Sequence, residues 1–260
     1  IGLCTMHQGQ TYNLETVGRW MRVDPRWGPP LEWRMTPEGE LEVKGGTGFA
    51  GYWGKPDKTA EKWDGEWFRT GDAVSMTESG ELVFLERLED MRRLATGHAY
   101  PPQFIETRLR FSPFIKDVMT VGDPTRLFVG ALVNIDGEVV GRWAEERRLG
   151  FSTFTDLSQK PEIRALIRDE VRRINALLPE PARLRRFVNL PKDLDPDEGE
   201  LTRTRKLRRE FLEERYRDLI AAIYDGRDSV DAEIPVRYQD GRRGVLRAEV
   251  AVTMVEETPA

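Results

Sequence analysis

Cysteine occurs once in these 260 residues, as Cys4, so no disulfide can form within the chain and a reducing compartment suits it. Histidine is almost as scarce. His7 and His98 lack partners at metal-ligand spacing, and a metal site built from this chain is not expected. No apolar run approaches the roughly 20 residues that a bilayer-spanning helix needs, and no secretory signal pattern opens the chain. The expectation is a cytoplasmic protein. Basic charge is not in excess: Lys and Arg number 40 against 45 Asp and Glu, for a net charge of -5, which argues against a nucleic-acid binder taken as a whole. Internal repeats and low-complexity tracts are missing as well.

What remains describes a globular chain. Hydrophobic residues make up 39% and charged residues 33%, in a length that suits one large domain or two modest ones, each able to bury a core. The first residue is Ile1 and the opening IGLCTM reads as the middle of something, so a fragment of a longer polypeptide is expected.

The stretch Gly65–Asp90, GEWFRTGDAVSMTESGELVFLERLED, divides two kinds of sequence. Before it come short strands and turns. A turn at Gly9–Gln10 lies in an indecisive opening, and LEWRM, the turn Thr36–Gly39 and ELEVKG form a β-hairpin by period-2 alternation. DKTAEKW suggests a short helix with Asp57 as its cap. Within the dividing stretch, Thr70-Gly71-Asp72 reads as a tight turn holding an isolated carboxylate. AVSMTESGELVFLER follows as a hairpin turning at Glu78-Ser79-Gly80.

After the divide, MRRLATGHAY shows no clear period, and Pro101-Pro102 starts a helix over QFIETRLRFS. IKDVMTVGD and RLFVGALVNID predict strands, the second apolar throughout and so buried on both faces. EVVGRWAEERRLG and PEIRALIRDEVRRINALL are amphipathic helices, and ARLRRFVNLP is another strand. A single helix is predicted over FLEERYRDLIAAIYDG, stopped by Gly226, and a last hairpin turns at Asp240-Gly241. That hairpin either adds an edge to the preceding domain or docks elsewhere.

Three features invite functional readings that the residues alone do not carry. Gly46, Gly48 and Gly51 match GxGxxG, but Tyr52 to Pro56 break any helix that would have to open on them, so they read as a turn. Trp53, Trp63 and Trp67 read as packing groups rather than base-stacking ones. The basic run from Arg203 to Arg209 is followed closely by Glu210, Glu213, Glu214 and Asp218, a pattern of intrahelical pairs rather than a phosphate-tracking stripe.

Taken together, GYWGKPDKTAEKWDGEWFRTGD, FLERLEDMRRLATGHAYPPQFIE and GELTRTRKLRR resemble successive core motifs of the AMP-forming acyl-CoA synthetases of the adenylate-forming superfamily, with the long-chain fatty acid branch most similar. The resemblance covers most of residues 16 to 226, and its strength lies in three motifs in the right order. It implies an α+β architecture. Residues 1–88 would be the β-rich end of a large AMP-binding domain, 89–228 a small mobile domain, and 229–260 a terminal hairpin and tail.

The resemblance also implies roles. Asp72 would accept hydrogen bonds from both ribose hydroxyls, and Arg87 would reach the ribose beside it; the bland alternatives are a turn aspartate and a surface arginine at a strand end. Glu89, followed by Asp90, stands at the family's hinge, where Asp or Lys is usual. Gly97 would line the pantetheine channel, and Lys206 would be the catalytic lysine, against a solvated basic face at a helix start. The implied small molecules are ATP or AMP, CoA, a medium- or long-chain fatty acid, and Mg2+ held by residues upstream, where the family's phosphate loop and acyl pocket lie. Any peripheral membrane contact would also be made upstream. Two alternatives stand beside this reading: an inactive adenylation-domain remnant serving as a binding or regulatory module, and an adenylating enzyme with a different acceptor.

Overall fold

The computed structural model describes residues 5–7, 13, 16–21, 24, 26, 28, 30–45, 51–237 and 243–256. Expectations for Cys4, the Gly9–Gln10 turn, Gly46, Gly48 and the Asp240-Gly241 turn lie outside the described residues. The chain forms two compact units, Ile1–Met91 and Arg92–Ala260.

In the first unit, β1 (Thr5–Met6) and β2 (Arg19–Trp20) make a two-stranded ribbon. β3 (Glu32–Met35) and β4 (Glu40–Lys44) form the predicted hairpin, then come α1 (Pro56–Ala60), β5 (Trp63–Asp64), β6 (Trp67–Met76) and β7 (Leu82–Arg87). The sheet runs β3-β4-β6-β5, with β7 also paired to β6. Two local expectations change. Asp57 does not cap α1, whose N-cap is Lys55 without a side-chain hydrogen bond; Asp57 instead lies in the first turn, where a carboxylate faces the positive end of the helix. Nor do Thr70-Gly71-Asp72 turn the chain. They lie inside β6 as a bulge, because Glu40 pairs with Ala73 and Glu42 with Arg69, leaving residues 70–72 opposite Leu41 alone. Gly71 takes φ +75°, which accounts for turn-like residues within a strand.

The second unit opens with β8 (Arg92–Arg93) and β9 (Ala99–Tyr100), a small hairpin in the stretch that showed no period. There follow α2 (Pro102–Leu109), β10 (Ile115–Val121), β11 (Val129–Ile135), α3 (Gly137–Glu146), α4 (Phe154–Gln159), α5 (Pro161–Asn175) and β12 (Leu184–Asn189). The chain ends in α6 (Arg209–Arg215), α7 (Arg217–Tyr224), β13 (Ser229–Arg237) and β14 (Arg243–Met254). One sheet of five strands, ordered β10-β11-β12-β14-β13, organises this unit. β11 is buried along its whole length, as its apolar run requires. Met119, Leu132, Val188 and Val252 form a core with Leu219 and Ile223 of α7, and α5 packs on β12 and β14 through a stripe of Ile163, Ile167, Val171 and Ile174.

The last hairpin does add an edge. β14 joins β12 antiparallel through Arg186↔Met254, Phe187↔Thr253 and Val188↔Val252, and β13 lies outside it. The single helix predicted over residues 211–226 is two helices. It breaks at Tyr216, whose φ of -103° and ψ of 22° are not helical.

Tyr100, fully buried, donates its hydroxyl to the Gly122 carbonyl at 3.0 Å, and burial pushes its phenol up to about 12. An unfolded tyrosine ionises near pH ~10, so the stability this group contributes is complete below that pH and is lost as pH rises through the folded value. Urea midpoints are expected to fall between about pH 10 and 12, and Tyr100→Phe to flatten that fall. An unaltered slope in the variant would remove Tyr100 from the account.

Candidate functional site

The β6 bulge is braced by side chains. Thr70 donates its hydroxyl to the Leu41 carbonyl at 2.6 Å and accepts the Asp72 amide at 3.0 Å, while the Gly71 amide donates to Glu40 Oε1 at 3.0 Å. Glu40 is itself buried and is neutralised by Arg69 at 3.1 Å. Sequence reading missed Glu40 and Glu42. Alternation in ELEVK puts Leu41 and Val43 inward, yet both glutamates are buried and Leu41 is only half-buried.

This frame places Asp72 directly across from Arg87, its pairing partner on β7, and Arg87 Nη1 donates to Asp72 Oδ1 at 2.6 Å and to the Thr70 carbonyl at 3.3 Å. The two residues singled out in the sequence are thus one constellation. With side chains 29% and 58% exposed, the pair contributes at most about 1 kcal/mol to stability. Asp72 Oδ2 has no hydrogen bond among the described residues. Burial holds the Asp72 carboxyl above the usual carboxylate range, outweighing the Arg87 and Lys62 cations, and Glu40 adds to the rise.

Glu89 and Asp90 are exposed in a one-turn 3-10 helix, Leu88–Asp90, flanked by extended backbone at Arg87 and Met91. Gly97 closes the turn between β8 and β9, its amide donating to the Leu94 carbonyl at 2.9 Å, with φ +81°. That left-handed backbone alone calls for glycine. A Cβ there would meet no atom within 4 Å.

Lys206 stands near the tip of a tight hairpin, not on the face of a helix; α6 starts only at Arg209. An antiparallel bridge, Leu201↔Leu207, closes the hairpin. Within it the Thr202 amide donates to the Lys206 carbonyl at 2.8 Å and the Lys206 amide to Thr202 Oγ1 at 3.0 Å. Arg205 adopts φ +58°, a conformation that costs a non-glycine residue about 1 kcal/mol or more. Residues 203–206 are exposed, and the Lys206 ammonium meets no carboxylate at ion-pair distance among the described residues.

Beneath this hairpin lies a polar cluster that local pattern does not announce. Glu200, 0% exposed, accepts from Lys192 Nζ at 2.7 Å, from the Asp195 amide at 2.9 Å and from the Tyr216 hydroxyl at 2.5 Å, with Arg215 Nε 3.1 Å away. Glu198 shares both cations, pairing with Lys192 at 3.1 Å and with Arg215. Burial, then Glu200, raise the Tyr216 phenol far above its ordinary range. The only sequence signal was glutamate in a motif otherwise read for its lysine.

Of Trp53, Trp63 and Trp67, two pack. Trp63 meets Phe68 edge-on at 5.3 Å and Trp67 lies under the Arg34 guanidinium at 4.6 Å. Trp53 is fully exposed, against expectation. Among the described residues no group of three or more His, Cys, Asp or Glu could hold a metal ion, and no helix is long and apolar enough to cross a membrane.

The sequence model of the family described as AMP-binding enzyme C-terminal domain matches residues 89–228. The long-chain-fatty-acid–CoA ligase FadD15 of Mycobacterium tuberculosis is 34% identical over 193 residues, covering 74% of this chain and 32% of that protein. Human long-chain-fatty-acid–CoA ligase 1 is 32% identical over 191 residues, 72% of this chain and 27% of that protein. The chain thus spans about a third of the length of the curated relatives it matches. Among solved structures, apo MatB from Rhodopseudomonas palustris superposes with a TM-score of 0.50 at 21% identity, over 80% of this chain and 37% of that one, a likeness of fold.

Proposed function

Because the chain belongs to the family of AMP-binding enzyme C-terminal domains, we propose that it is the C-terminal part of an ATP-dependent, AMP-forming ligase that activates a medium- or long-chain fatty acid and passes it to CoA. The two half-reactions would be attack of the fatty carboxylate on the α-phosphate, releasing pyrophosphate, and displacement of AMP by the CoA thiol. The observation that carries the reading is the 34% identity to a long-chain ligase over 74% of the chain, beside a family match over residues 89–228 that spans the Lys206 hairpin.

Each step asks something of particular side chains. Adenylation needs the nucleotide held still and the charge on the α-phosphate stabilised as it develops. A carboxylate accepts only, and Asp72, with Oδ1 taken by Arg87 and Oδ2 open, fits the paired hydroxyls of a ribose. Lys206 supplies a mobile point charge for the α-phosphate and the reacting carboxylate. Magnesium, which the reaction would use to neutralise the polyphosphate, finds no ligand cluster among the described residues and would be held elsewhere. For the second half-reaction Lys206 must withdraw and the thiol enter. The exposed Leu88–Asp90 turn is our proposed pivot, and the bare backbone at Gly97 our proposed lining for the pantetheine arm.

The experiment is pyrophosphate release by the full-length ligase with ATP and a long-chain fatty acid, followed by CoA-dependent release of AMP. Release that does not depend on the fatty acid, or acyl transfer to another acceptor in preference to CoA, would overturn the reading. Asp72→Asn is expected to weaken AMP binding by about 10- to 100-fold, the worth of hydrogen bonds to a charged acceptor. Titration with a fluorescent nucleotide checks it, and unchanged affinity removes Asp72 from the ribose.

A further inference from the structure

We infer that the buried carboxylate of Glu200 is a positioning residue: it fixes the root of the hairpin that presents Lys206. The inference rests on the reading of Lys206 as the catalytic lysine.

The hairpin is short, solvent-facing and carries a left-handed Arg205, so its internal hydrogen bonds alone do not hold it in one place. Its two ends meet at Glu200, whose carbonyl accepts the Arg208 amide at 3.0 Å and whose own amide donates to the Asp195 carbonyl at 3.3 Å. The side chain then ties that junction to three residues on two pieces of the unit: Lys192 and Asp195 from the loop after β12, and Tyr216 from the break between α6 and α7. Leu201, buried, and Leu207, packed against the core, seat the hairpin's apolar side immediately beyond. A junction that needed only stability could use apolar packing, since replacing buried ion pairs by well-packed hydrophobic residues is often neutral or favourable. What converging donors on one carboxylate add is direction: the junction can satisfy all of them in one arrangement only.

Glu200→Gln keeps the shape of the side chain and removes its charge. Amide exchange at Thr202, Arg205 and Lys206 is expected to speed by about tenfold or more, the equivalent of one lost hydrogen bond. In the ligase the variant should lower kcat for adenylate formation by about tenfold or more at unchanged KM for ATP, with thioester formation from supplied acyl-adenylate within about twofold. Ile163→Ala, a core truncation in α5, is the control for general destabilisation; at a temperature where both variants are folded it should leave hairpin exchange and adenylation at their wild-type values. Equal acceleration of hairpin exchange in both variants would make Glu200 merely structural and overturn the inference. So would wild-type exchange in Glu200→Gln. Should that variant fail to fold, Tyr216→Phe removes one donor to the same carboxylate and is read in the same way. If Lys206→Ala itself spares adenylation, the reading of Lys206 has failed, while the exchange data still report whether Glu200 holds the hairpin.

Discussion

On the function proposed above, Lys206→Ala in the full-length protein is expected to lower acyl-adenylate formation by about 10²- to 10³-fold, the scale on which removal of one preorganised charge-stabilising donor acts. Thioester formation from supplied acyl-adenylate should stay near its wild-type rate, because in that half-reaction the lysine has no charge on an α-phosphate in displacement to stabilise. Stability should not move. The side chain is exposed and unpaired among the described residues, and substitutions of that kind stay within about 0.5 kcal/mol. A thermal melt therefore separates chemistry from folding, and the two half-reactions separate the role of Lys206 from a general contribution to nucleotide binding. Equal loss in both half-reactions would sink the assignment.

Arg215→Met should be the most destabilising of the substitutions considered, by about 3–5 kcal/mol, the cost of breaking a buried pair from one side. Among the described residues the cluster sets Glu198 and Glu200 against Lys192 and Arg215, all with side chains at most 13% exposed. Without the guanidinium Glu198 and Glu200 lose a cation that they share, and the Pro235 carbonyl of β13 loses a donor as well. Neutralising one of the two carboxylates should recover part of the loss, so Arg215→Met/Glu198→Gln is expected to be more stable than Arg215→Met alone, with a favourable coupling in the double-mutant cycle. Urea unfolding measures both. A loss below about 1 kcal/mol would place the pair among surface ion pairs, which its burial argues against.

What was legible in the sequence is what local pattern or spacing encodes. The apolar run of β11, the 3.6-residue stripe of α5 and the Glu78–Gly80 turn each announce themselves, and each is found. Asp72, Arg87 and Lys206 stand out in the sequence because they lie in spaced motifs. What escaped notice depends on partners distant in sequence. Thr70-Gly71-Asp72 carries the residue types of a turn, and only the register of β4 against β6 makes it a bulge. The helix over residues 211–226 has continuous helical spacing, but the Tyr216 hydroxyl is committed to Glu200, and that tertiary contact accompanies the break between α6 and α7. Glu200 was invisible for a related reason: a fully buried glutamate looks, in a sequence, like any surface one.

The terminal hairpin lies beyond the residues matched by the family, and its pairing with β12 has a consequence for association between molecules. Interposed there, β14 covers a strand whose Phe187 and Val188 are fully buried and whose open side would otherwise present bare peptide groups to a neighbour. The boundary strand becomes β13, a poor template for further pairing: Pro235 offers no N–H, and Asp231 and Glu233 stand exposed along it. On its side of the sheet the hairpin thus presents a strand that repels company.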